Sequence, residues 1–174
     1  MAAPLPWLRQ GDVFETVPYV HLEASDHGHR VVNEEFAGLL VSENCQLDKR
    51  TGRGLPRPGQ RLLFLPVRPL EVFDPNHQSK MLAGEVQPPE AVYVGEFEGE
   101  RLAARLGEIF SLPAAIFSPR SVNYSGHPDA DPADPHHLTV DARWTRLMTM
   151  DAEALQLMHR KMWMFMTHRE PEPY

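Results

Sequence analysis

Residues 38–49 read GLLVSENCQLDK. The apolar run Gly38-Leu39-Leu40-Val41 breaks abruptly into Ser42-Glu43-Asn44, and then come the only cysteine of the chain, Cys45, and Asp48-Lys49. An apolar run this short, with no alternation, is the pattern of a strand covered on both faces. A second run of the same kind, Leu62–Val67 in RLLFLPV, follows a connection rich in Gly and Pro. The pair predicts a β-type core, with a polar exit and a lone thiol at the end of the earlier strand.

Working outward, Gly11-Asp12-Val13-Phe14 opens a first strand to which Val17 and Val20 contribute, although Pro18 argues against a regular central strand there. Residues 23–35 are polar apart from Val31-Val32 and read as loop or hairpin. Phe36–Val41 is the second strand. Leu62–Val67 is the third, ended by Pro66 and Pro69, with Leu70–Phe73 extending it after a bend. One helical turn is expected near Ser79–Ala83. Ala91–Phe97 alternates as a fourth strand. Arg101–Phe110 reads either as a short helix with Leu102, Leu106 and Ile109 on one face or as a turn followed by a strand at Leu106–Phe110, the latter favoured because Gly99 and Gly107 disfavour a helix; an extended piece follows at Leu112–Phe117. Leu138–Asp141 and Arg143–Leu147 are strand material. Asp151 is a good N-cap, and Leu155, Met158, Met162 and Phe165 follow at i, i+3, i+7 and i+10, the stripe of an amphipathic helix that Pro171 stops.

Composition bounds the classes. The 174 residues suit one domain with an appendage, and 42% hydrophobic content is enough for a core. Seventeen prolines, nearly twice the average usage of about 5%, favour short strands and long loops. A net charge of −7 disfavours a general phosphate-binding surface. One cysteine makes no internal disulfide, which points to a reducing compartment. No apolar run approaches the roughly 18 residues of a membrane span, and MAAPLPWLRQGD lacks the pattern of a signal peptide. The expectation is a cytoplasmic protein with no membrane contact.

The order of a GDV strand, a long loop, an apolar strand with a polar break, a Gly-rich loop and an LFLPV strand resembles the PemK/MazF family of toxin-antitoxin ribonucleases and related small barrels. Gly11-Asp12-Val13 is similar to its N-terminal G-D-I/V, Gly38-Leu39-Leu40-Val41-Ser42 to its A-L-V-L-S strand, and Phe64-Leu65-Pro66-Val67 to part of its V-x-P-I-T strand. The resemblance covers about residues 9–70. It implies a mainly β fold, a partly open SH3-like barrel with long loops and a C-terminal α-helix, divided as an arm over 1–10, a barrel over 11–148 and a packed helix over 149–170. The catalytic pattern departs from the family. Where the ribonucleases carry an arginine ahead of the second strand, this chain has Glu34-Glu35-Phe36-Ala37, and where they carry a threonine it has Arg68. A looser resemblance joins Ser42–Lys49 and the L-x-L-M-x-x-K of Leu155–Lys161 to phage and bacterial proteins of no known activity.

Four features carry candidate chemistry. Cys45 is a nucleophile if a base such as His21, His27, His29 or His77 and an acid such as Asp48 converge on it; otherwise it is a small buried hydrophobe. His136 and His137, among Asp129, Asp131 and Asp134, and the His27-Gly28-His29 pair beside Asp26 are metal-capable in composition, though neither has a zinc-site spacing. Lys49, Arg50, Arg53, Arg57 and Arg61 form a cationic loop able to meet RNA or an acidic partner, or simply solvated. Met162, Trp163 and Met166 mark a partner face on the last helix, or a well-buried one. The reading that follows is a non-enzymatic binding protein on a PemK/MazF-like barrel, associated with phage or mobile elements, needing no cofactor, with a protein partner or a homodimer. The alternatives are a divergent endoribonuclease using Arg68 with Arg53 or Arg57, and a cysteine- or metal-dependent enzyme.

Overall fold

The computed structural model describes residues 8–25, 28–43, 47, 59–85, 90–117 and 144–167. It is mainly β. Seven strands, β1 Asp12–Ser25, β2 Gly28–Leu40, β3 Arg61–Pro69, β4 Ala91–Phe97, β5 Glu100–Arg105, β6 Phe110–Pro113 and β7 Arg146–Thr149, are joined by helix α1 Pro75–Leu82 and followed by helix α2 Ala152–Thr167. The sheet is antiparallel throughout, in the order β4-β5-β3-β2-β1-β7, with β6 also paired to β3.

β3 is the spine. Residues 64–67 pair with β2 on one edge. On the other edge, residues 61–64 pair with β6 and residues 67–69 with β5. β5 and β6 are one strand interrupted by a 3-10 turn at Leu106–Glu108, so most of the strand expected at Leu106–Phe110 is this turn, and the strands lie on either side of it. The interruption leaves residues 65 and 66 without a partner on that edge. Pro66 sits inside the strand there, where a missing N–H costs the ladder least.

The two apolar runs are buried on both faces, apart from Leu63, which is exposed. Val13, Leu39, Leu65 and Val67 point into one cluster with Val92, Val94, Leu102, Ala104, Met150 and Met158. Phe14, Leu40, Leu62 and Phe64 point into another with Leu8, Leu47, Ala114 and Phe117, against which Trp144 packs. The first cluster joins strands from both ends of the sheet, so the sheet curls around it. Its edges, β4 and β7, meet through side chains: a Cβ on Gly95 of β4 would run into Met148 of β7. α2 packs beside this seam, laying Leu155, Met158, Met162 and Phe165 on the same core, which is the stripe the periodicity predicts. The barrel is therefore partly open, with the C-terminal helix packed on its core. α1 covers the outer face of β4 and β5 with Met81, over Leu70, Phe73, Ala91 and Ala103.

Local chemistry ends the elements. The Asp151 carboxylate accepts from Ala154 N at 2.8 Å and caps α2. Asp74 does the same for α1, accepting from Asn76 N at 2.9 Å, with Pro75 at its first turn. At the exit of β2 the buried Ser42 hydroxyl accepts from Leu63 N at 2.8 Å. The polar break after Val41 thus closes the ladder with a side chain.

Candidate functional site

β1 and β2 run far beyond the rest of the sheet. β7 pairs with β1 only at Asp12–Phe14, and β3 pairs with β2 only at residues 37–40. From Val17↔Phe36 to Ser25↔Gly28 the two strands pair only with each other among the described residues. The segment 23–35, expected as loop or hairpin, is the outer half of this two-stranded ribbon. A bulge between Phe14 and Val17 separates it from the barrel, and at its root a Cβ on Gly38 would overlap Val17. Pro18 is tolerated beyond the bulge, where β1 has a free edge.

The register assigns the two faces of the ribbon. Pro18, Val20, Leu22 and Ala24 share one face with His29, Val31, Asn33 and Glu35. Val20 is 60% exposed, Leu22 66% and Val31 69%. Tyr19, His21 and Glu23 share the other face with Arg30, Val32, Glu34 and Phe36. Here the rings are locked together. Tyr19 stacks on His21 with centroids 4.9 Å apart, meets Phe110 of β6 edge-on at 4.8 Å, and packs on Phe36 at 5.4 Å. Glu23 accepts from Arg30 at 2.6 and 3.0 Å through Oε2, while its Oε1 faces His21 Nε2 at 3.4 Å. Hydrogen bonds from Arg30 first, then from His21, hold the Glu23 carboxyl below its usual range.

The residues singled out from sequence are scattered around this frame. Arg68 forms an ion pair with Glu108 at 2.8 Å and lies over the Phe36 ring at 5.6 Å. Arg61 donates to Ser111 Oγ at 2.8 Å and to the Ser111 carbonyl at 2.7 Å, tying β3 to β6. Seven positions of strand separate the two arginines, roughly 23 Å at 3.3 Å per residue. On α2, Met162 is half-buried against the barrel core, whereas Trp163 is 57% and Met166 76% exposed. Cys45, Lys49, Arg50, Arg53, Arg57, His136 and His137 lie outside the described residues.

A cleft of about 350 Å³ lies between α1 and the start of β4, lined by Phe73, Asp74, His77, Glu90, Ala91 and Arg105. Among the described residues its lining carries no hydroxyl, thiol or amine, Asp74 is occupied as a helix cap, and Arg105 lies over Phe73 at 5.2 Å. Glu90 of this rim, with Glu85, also acts on Lys161, the lysine of L-x-L-M-x-x-K. Its side chain is wholly buried, and burial lowers its pKa to about 8 against the attraction of the two glutamates.

At the root of the barrel, Asp12 of the GDV motif is fully buried. It accepts from Arg9 N at 2.7 Å and Thr149 Oγ1 at 2.7 Å, and pairs with Arg146 at 2.9 Å. Burial pushes the Asp12 carboxyl up and the Arg146 guanidinium down, and their mutual attraction opposes both. This pair fastens β7 to β1.

No protein-family model matches the chain, and no curated protein matches it either. What sequence reasoning missed is the ribbon's ring face. The H-x-E of His21 and Glu23 was visible, but only the strand register brings Glu34 and Arg30 to it.

Proposed function

We propose that this chain is a non-enzymatic binding protein on a PemK/MazF-like small barrel, and that its ribbon is the binding arm, docking against the ribbon of a second copy. The observation that carries this reading is the aliphatic face of the ribbon, with Val20, Leu22 and Val31 at 60–69% exposure on strands that have no third neighbour among the described residues. A two-stranded ribbon is marginal alone, and an additional strand along its edge is what would stabilise it. A second copy is favoured by charge. On a chain of net charge −7, that face carries a single carboxylate, Glu35, so two such faces meet with little repulsion. Trp163 and Met166 on α2 make a smaller exposed pair. Arg68, committed to Glu108 and Phe36, weighs against the ribonuclease alternative.

Sedimentation equilibrium tests this. Wild-type protein is expected at twice the 19.8 kDa chain mass. Leu22→Lys with Val31→Lys should return it to 19.8 kDa with the thermal midpoint of the dissociated protein unchanged, whereas Trp163→Glu with Met166→Glu should leave the dimer intact. A wild-type monomer at high micromolar concentration, or a dimer lost only in the helix variant, overturns the assignment to the ribbon. RNA cleavage abolished by Arg68→Ala would overturn the non-enzymatic reading itself.

A further inference from the structure

We propose that the opposite face of the ribbon is a binding site for a divalent first-row transition-metal cation, with His21, Glu23 and Glu34 as its three protein ligands. One ligand atom from each side chain lies within 4.8 Å of the other two, the one such set of three among the described residues. Donors about 2.1 Å from a tetrahedral Zn²⁺ stand about 3.4 Å from one another. The His21 Nε2 to Glu23 Oε1 separation is already 3.4 Å, and the Glu34 ligand atom lies within 4.8 Å of both partners.

The surroundings are those of a prepared site. The His21 ring is fixed by its stack on Tyr19, which is itself wedged against Phe36 and Phe110. Arg30 holds Glu23 through Oε2 alone, the role an outer-shell partner plays for a ligating carboxylate. The Nδ1 atom of His21 is buried with no hydrogen-bond partner, so the protein's own hydrogen bonds leave this imidazole incompletely satisfied. Glu23 and Glu34 converge on the His21 ring with the Arg30 guanidinium beside Glu23, and a divalent cation would offset the repulsion between the two carboxylates. One nitrogen and two oxygen donors suit Zn²⁺, Mn²⁺ or Co²⁺ better than an all-oxygen cation such as Mg²⁺. At 24% and 37% side-chain exposure, His21 and Glu23 are reachable from solvent, and three protein ligands leave a coordination position open. The cation would join β1, which supplies His21 and Glu23, to β2, which supplies Glu34, so it would staple a ribbon that has no third strand among the described residues. This site does not depend on self-association, since it uses the other face.

Calorimetric titration of the full chain with ZnCl2 tests the proposal, with MgCl2 as the comparison and a His136→Ala, His137→Ala variant as the control for the acidic, histidine-bearing loop. One equivalent of Zn²⁺ is expected to bind wild type and the control alike, with Mg²⁺ binding far weaker. Glu34→Gln and His21→Ala should each weaken Zn²⁺ by about tenfold or more. An independent readout needs no variant: one equivalent of Zn²⁺ should shift the His21 imidazole signals in the NMR spectrum. Undiminished binding in the Glu34→Gln, His21→Ala double variant, no saturable Zn²⁺ binding, or shifts confined to other histidines overturns it.

Discussion

Two buried charges show how differently single residues serve this fold. Asp12 has its carboxylate matched by three donors, from Arg9, Thr149 and Arg146. Removing one member of a buried pair strands the other in a dry site. Asp12→Ala is therefore expected to cost about 3–5 kcal/mol in urea unfolding, much of it from Arg146 losing its buried carboxylate partner. An equal loss in Asp12→Ala and in Asp12→Ala, Arg146→Met would contradict that account. Lys161 carries the second buried charge. Its folded pKa, about 8, lies below the ordinary 10.5. Below pH 8 both folded and unfolded chains hold the proton and the cost of burying the ammonium is borne in full. Between 8 and 10.5 the folded chain sheds its proton first, so this group makes stability rise with pH, by about 3 kcal/mol across the window. The denaturation midpoint measured against pH should show that rise in wild type and not in Lys161→Met. Identical profiles would mean that the lysine is not buried as a charge.

At the scale of elements, the sheet divides into a spine and an arm. β3 is paired along both edges, whereas the ribbon beyond Val17 is paired along one edge of each strand. Opening free energy follows the number of neighbours that must be broken. Amide hydrogen exchange on dilute protein should therefore be fastest over residues 18–33 and slowest in β3. If the ribbon joins two copies, its protection should climb with protein concentration while β3 is unaffected. Uniform protection in dilute solution would deny the ribbon its independence. This division also explains what was legible in the sequence. β4 can be read at Ala91–Phe97 because one face is covered and the other half-covered, so the residues alternate. The cores of β2 and β3 can be read because both faces are covered and the runs are continuous. In the outer ribbon only Val31-Val32 is an apolar pair, and half-buried positions of the ring face are filled by Glu23 and Glu34, so residues 23–35 read as loop or hairpin. The metal-capable set was illegible for a related reason: His21, Glu23 and Glu34 become neighbours only through cross-strand register, which no spacing along the chain records.

For the whole molecule, the decisive feature is that the open side of the barrel is packed by a helix rather than paired by a ladder. Among the described residues β4 and β7 share no backbone pairing; Met148 against Gly95 and the apolar stripe of α2 complete the wall. Met158 is fully buried in the same cluster as Val13, Leu39, Leu65, Val92 and Leu102, which come from five different strands. Helix and sheet are then one cooperative unit, and the helix should not melt first as an appendage would. Met158→Ala removes a buried side chain at the centre of this contact and should cost about 2–5 kcal/mol. The informative measurement is the pair of transitions. Far-UV circular dichroism at the helical band follows α2 and α1. Tryptophan emission includes Trp144, stacked on Phe117 at 4.3 Å in the separate cluster behind β1 and β3. Both signals should move to the same lower midpoint in Met158→Ala, because a cavity under the helix weakens the one sheet whose strands line both clusters. A helical signal lost ahead of the tryptophan signal would show instead that the curled sheet stands without its helix, and that the exposed Trp163 and Met166 belong to a detachable element.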